Sequence, residues 1–491
     1  MSTVPTNRRS FLKTAGAVAT AGAAWAQGTP ETQTKKMIGI QIGAVSFVDE
    51  GVEQVLDVVQ QRAHVNTLFL VTFAYNNGLA GRQVPGYPLP DHGKQEYDHN
   101  FQGGYYATLH PQYYKDTSFK AARAPDQGDF DLLASVLPSA KKRGLKTIAF
   151  MADNFRRNLP NAENLLERDL DGQVIEGVCW NNPEYRAFAL GMVEDCLRSY
   201  ELDGLLWRSE RAGVLSRLLA YHQGASGAGC FCEFCQRKAR QQGINVERAR
   251  QGCRALEAFV RSSRAGKRPV DGHFVTFWRL LLRYPEIAAW EMFWVDSLRE
   301  TYQAVYKKVK SIRGGLPVGW AIAHSNCISP LYRAEQDLQE LGKYSDFLKI
   351  VMYHNVIGPR MINYLDQAGS AWLADLPKPQ LLEFEYRIMN YQERPYDQIE
   401  RTGFSSDFVH REARRAMEGA AGTQTQIWPG IDIDLPTKGQ QAQCTPQGTK
   451  AAVLAAFRAG VHGVILARKY SEMRLANLSG AGEAMRELGL A

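Results

Sequence analysis

Short, nearly unbroken apolar runs alternate along this chain with longer stretches whose apolar residues recur every three or four positions. The first pattern suits strands buried on both faces, and the second suits amphipathic helices. Strands are predicted at 37–42, 67–73, 145–151, 204–207, 317–323, 347–352, 425–431 and 463–467. Helical spacing occupies 52–63, 131–143, 183–200, 294–311 and 449–459, and 381–389 fits a helix face as well as a strand. This β-α-β rhythm implies a parallel sheet, and eight strands is the number that closes a (β/α)8 TIM barrel. The predicted fold is therefore an α/β barrel with long insertions after strands 2 and 4, at 76–128 and about 212–290. An open doubly wound sheet is the alternative. It would call for a Gly-rich phosphate turn after the first strand, which this chain lacks, so no organic cofactor is expected either.

The segment ahead of the barrel has a different character. Asn7-Arg-Arg-Ser-Phe-Leu-Lys13 carries twin arginines, Thr14 to Ala24 is weakly apolar, and Ala24-Trp25-Ala26 has the small-residue cleavage pattern. Residues 1–26 read as a twin-arginine export signal, 27–36 as a linker and 37–491 as the barrel. The expected partner is the twin-arginine export machinery, and the expected destination is the periplasm or the medium. The signal's apolar run is too short to anchor the protein stably in a membrane, and no other segment resembles a span.

Composition adds little beyond this. Apolar residues at 45% and charged residues at 22% describe an ordinary globular protein. Residues 1–26 hold three cations (Arg8, Arg9 and Lys13) and no acid, so the net charge of +7 falls to +4 without them. The remaining Lys and Arg are dispersed, which excludes a nucleic-acid reading.

Candidate chemistry gathers where predicted strands end: Asp153, Asn154, Arg208, Glu210, Arg211, His324, Asn326, Tyr353, His354, Asp432, Asp434, Arg468, Tyr470 and Glu472. Parallel barrels build their sites at these carboxyl ends. Glycoside hydrolysis needs two carboxyl groups flanking the scissile bond. Glu210, ending the fourth strand, suits the acid, although Arg208 and Arg211 nearby would favour its ionised form. The partner falls to Asp432 or Asp434, with Glu472 as a third choice. Tyr75, Tyr105, Tyr106, Trp180 and Trp207 are candidates to stack on sugar rings, with packing in the core or within a loop as the alternative. Cys230-Phe-Cys232-Glu-Phe-Cys235 brings three thiols together, and Cys179 could complete a closed tetrahedral zinc site of structural type. A disulfide with a free thiol is the alternative in an oxidising compartment. An export route that carries folded proteins would allow metal loading beforehand.

Cys179-Trp-Asn-Asn-Pro-Glu-Tyr-Arg186, the glutamate after the fourth strand and Cys230 to Cys235 together resemble glycoside hydrolase family 42 β-galactosidases. They also resemble barrel proteins described as hypothetical glycosyl hydrolases. The resemblance implies zinc on Cys179, Cys230, Cys232 and Cys235, with Glu210 as acid/base. Two departures stand out: Ser209 precedes Glu210 where the family has Asn, and Asp432 stands where the family's nucleophile is a glutamate. The expected activity is an exported glycosidase acting on a carbohydrate, an oligosaccharide or a plant-derived glycoside. The alternatives are a carbohydrate-binding barrel without catalysis, and a metal-dependent lyase or isomerase using His324, His354 and Asp432 or Glu472.

Overall fold

The computed structural model describes residues 36–119, 122–153, 159, 161–220 and 229–491. The predicted signal, most of the linker, and Asn154 lie outside the described residues. Among them, eight parallel strands follow one another around a barrel: Met37–Ile42, Thr67–Ala74, Lys146–Ala152, Gly204–Arg208, Val318–Ile322, Phe347–Ile350, a seventh in two pieces, and Gly463–Ala467. The seventh comprises Gln426–Ile427, paired with Phe347 and Leu348, and Gly430–Asp432, paired with Ile465 to Ala467. Pro429 separates the pieces because it has no N–H to offer a ladder. Its carbonyl still accepts from Ile465 N at 2.8 Å, and Val351 bridges to Gly430, so the seam is bonded on both sides. The first strand pairs with the eighth from Met37 opposite Gly463. The predicted (β/α)8 architecture is the one observed.

Aromatic rings fill the lower interior. Phe347 stacks on Trp428 with centroids 4.0 Å apart, and Phe69 meets both edge-on at 6.4 and 6.2 Å. Gly39 and Gly319 face this layer, where a Cβ would collide with the Phe69 and Phe347 rings. Each buried ring contributes about 3 kcal/mol of transfer energy, which small facing residues make accessible.

Local signals place the outer elements. Pro183 starts the helix Pro183–Ser199, and the Asn182 side chain caps it by accepting from Glu184 N at 2.9 Å. Residues 381–389 settle as helix, within Lys378–Met389. After the second strand, Gly104–Tyr105 returns antiparallel against Phe73 and Ala74. A hairpin of Leu166–Arg168 and Val174–Val178 follows the third strand. Between the fourth and fifth strands run the helices Val214–Ala220, Glu233–Gln241, Val246–Arg264, His273–Arg283 and Glu286–Ile312.

Candidate active site

The fourth strand ends at Arg208, and the three residues after it do separate work. Ser209 turns inward and donates to Asp153 at 2.7 Å. Asp153 also accepts from Tyr185 at 3.1 Å, and from Trp180 and Arg211 at 3.3 Å each. Arg211 lies over the Trp180 ring at 3.9 Å, reaches Glu167 at 3.6 Å and donates to Val178 O at 2.5 Å. Glu167 takes Arg217 at 2.7 Å and Trp294 Nε1 at 3.1 Å. Gly177 passes beside Arg211 with φ +110°, where a side chain would be both strained and obstructed. Asp153 and Arg211 thus belong to a buried network that fixes the strand-end turn.

Glu210 points the other way. It pairs with Arg208, and its side chain keeps 10% exposure. Tyr353, after the sixth strand, lies among the same charges. Burial pushes its phenol up and Glu210 adds to this, while Arg208, Arg468 and Arg360 oppose it. His324 faces Tyr353 with ring centres 5.4 Å apart, and Arg360 donates to His324 Nδ1 at 2.8 Å. Arg468 holds Glu472 by two bonds, at 3.0 and 2.7 Å. Beneath this group, Lys349 projects from the sixth strand into the barrel, donating to Gln41. Burial, then Arg208, draws its ammonium down to about 7. Gly430 leaves room for it, since a Cβ there would come 2.9 Å from Lys349 Cε.

The remaining predicted residues divide. Asp432 is fully buried, accepting from His354 N and Asn355 N at 3.0 Å, from Val356 N at 3.3 Å, and lying 2.6 Å from His354 Nδ1. Burial pushes its carboxyl up, but His354 and these amides outweigh burial and hold it below the usual range. Asp434 sits apart, with φ +53°, held by Arg474 at 2.5 and 2.8 Å and by Asn477 at 2.8 and 2.9 Å. Tyr470 is wholly buried, 4.4 Å from the His92 ring, and donates to Glu50 at 3.2 Å. Asn326 is 1% exposed, and neither of its amide atoms has a hydrogen-bond partner among the described residues.

The aromatic expectation is corrected. Tyr105, Tyr106, Trp180 and Trp207 are core side chains, and Tyr75 packs edge-on against Phe73 at 5.4 Å. Trp180 has one face on Arg211 and meets Trp294 at 4.5 Å, which leaves no open face for a sugar. Sequence reasoning missed Lys349 and Arg360. A lysine inside the apolar run 347–352 was the available signal for the first.

The four cysteines converge as expected. Their sulfurs all lie within 4.8 Å of one another, with Cys179 at 3.4 Å from Cys232 and 3.5 Å from Cys235. A disulfide needs about 2.05 Å, whereas tetrahedral zinc at about 2.3 Å from each sulfur spaces them near 3.8 Å. Arg168 N and Asn181 Nδ2 each donate to a sulfur at 3.3 Å, as suits thiolates. Hydrogen bonds from Cys179, Cys230 and Cys235 pull the Cys232 thiol down, while burial pushes Cys230 up. Together these sulfurs could hold a metal such as zinc. Among the described residues no other His, Cys, Asp and Glu group has this ligand geometry.

Residues 5–25 match the twin-arginine translocation pathway signal sequence, which directs export across the membrane. No described helix is long and apolar enough to cross one. No curated protein matches the chain in sequence. In structure it is similar to alpha-L-fucosidase isoenzyme 2 from Paenibacillus thiaminolyticus, at 12% identity and TM-score 0.50, covering 93% of this chain and 49% of that one. It is also similar to a polyextremophilic beta-galactosidase from the Antarctic haloarchaeon Halorubrum lacusprofundi, at 13% identity and TM-score 0.50, covering 92% and 58%. The chain spans about half the length of these proteins, and at such identities the likeness establishes the barrel fold.

Proposed function

We propose that the protein is an exported glycoside hydrolase, periplasmic or secreted, that uses Glu210 as its acid/base. The observation that carries this reading is the placing of Glu210, partly exposed at the carboxyl end of the fourth barrel strand, beside Tyr353 and the arginines around it. In a two-carboxylate mechanism Glu210 protonates the leaving oxygen and an ionised partner acts as nucleophile or base. Asp432 is the proposed partner, with Glu472 behind it. Its depressed pKa keeps it charged, as that role demands. His324, Asn326, Tyr353, His354 and Arg468 are the proposed sugar contacts, and the unpartnered amide of Asn326 suits a hydroxyl.

Cys179, Cys230, Cys232 and Cys235 are proposed to hold structural zinc. Four thiolates leave no open coordination position, so the ion would serve stability rather than chemistry. A second reading, a barrel that binds carbohydrate without cleaving it, is favoured by the Arg208–Glu210 pair. A guanidinium stabilises the carboxylate, which is the wrong form for an acid. Chromogenic glycosides separate the two. Turnover by the wild type, lost in Glu210→Gln with sugar binding retained, supports the hydrolase; binding without product in the wild type supports the alternative.

A further inference from the structure

Cations outnumber acids at the barrel mouth. Arg208 is paired with Glu210 and Arg468 with Glu472. Arg360, from the helix Ile357–Gly369, forms no ion pair with a carboxylate among the described residues. Its NH1 donates to the ring nitrogen of His324 at 2.8 Å, and its guanidinium carbon lies 6.0 Å from the Tyr353 ring. Lys349 adds a further amine below. Burial and the neighbouring Arg468 press the Arg360 guanidinium below its ordinary range despite the opposing pull of Tyr353 and Glu210, a cost that a bound anion would lift.

We infer that the sugar taken at this site carries an anionic substituent, a uronate carboxylate, docked on Arg360 beside His324 and Tyr353. The planar fork of a guanidinium fits a carboxylate with two parallel N–H···O bonds. His324 fixes the fork from one side, because its Nδ1 accepts from NH1. This inference rests on the glycosidase reading for its chemistry but not for its binding.

The test compares aryl uronides, the matching neutral hexosides and sulfated hexosides as substrates. It also compares uronate oligosaccharides with their carboxyl-reduced forms by calorimetry. The expected preference for the uronide is about 10- to 100-fold, the worth of one charge-assisted pair. It shrinks with added salt in the wild type and collapses in Arg360→Gln, with Arg360→Lys between the two. Equal turnover of neutral and acidic substrates, or a preference unmoved by Arg360→Gln, overturns the inference and leaves the hydrolase standing. Arg360-dependent binding of uronates with no cleavage of any glycoside upholds the inference and overturns the hydrolase. Preference for sulfated sugars alone overturns the carboxylate. Neither cleavage nor binding of any of these overturns both.

Discussion

Asp432 Oδ1 lies 2.6 Å from His354 Nδ1, and the same carboxylate accepts the backbone N–H groups of residues 354, 355 and 356. One side chain on the seventh strand therefore shapes the turn that follows the sixth. Asp432→Ala is expected to lose turnover and stability together, by about 2–4 kcal/mol, because buried donors are left unpaired. Glu210→Ala is expected to lose turnover by about 10²- to 10⁴-fold with its melting temperature unchanged. Kinetics and thermal melts on the two variants separate these roles. A stable, inactive Asp432→Ala would make that residue purely catalytic.

Arg211 neutralises two buried carboxylates at once, Asp153 and Glu167. Arg211→Met keeps much of the volume over Trp180 but strips both acids of a partner. A loss of about 3–5 kcal/mol in denaturant unfolding is expected. A loss below about 1 kcal/mol would mean that Arg217 alone suffices for Glu167.

For the cysteine cluster, elemental analysis is expected to find one zinc per chain. Cys235→Ser is expected to lower Tm by about 5 °C, the scale of several kcal/mol lost from a chain of this size. Full stability in a zinc-free preparation would refute the metal.

Glu385 sits wholly buried on the helix Lys378–Met389, accepting from Tyr364 at 3.2 Å, and burial pushes its carboxyl up to about 8. A raised carboxyl pKa favours the folded state fully below the unfolded value of 4.5, and this contribution is lost as pH rises through 8. Every tenfold gain in proton affinity on folding corresponds to about 1.4 kcal/mol. Wild-type Tm is expected to decline from about pH 5 to 9, and Glu385→Gln to flatten that decline. Parallel profiles would show that Glu385 is not the titrating group.

The barrel was legible because its signal is local. The runs at 37–42 and 463–467 coincide with the observed strands, and the others differ at their ends by a residue or two. The seventh reads as one strand in the sequence, since nothing local to Pro429 reveals that its neighbours pair with opposite sides of a seam. The cysteine cluster was legible from spacing, and the structure brings Cys179 to the other three. The mouth was only half legible. Arg360 lies on a helix, where an arginine ordinarily means a solvated face, and only the tertiary fold turns it toward His324. Tyr75, Tyr105, Tyr106 and Trp180 misled for the opposite reason: their loop positions suggested exposure, while the Gly104–Tyr105 strand and the Arg211 network draw them inward.

The bond between the first and eighth strands sets a condition on the whole chain. A polypeptide stopped before Gly463 leaves the edge of Met37–Ile42 bare, with that of the seventh strand. The barrel ring becomes whole only when the last of its staves has been made.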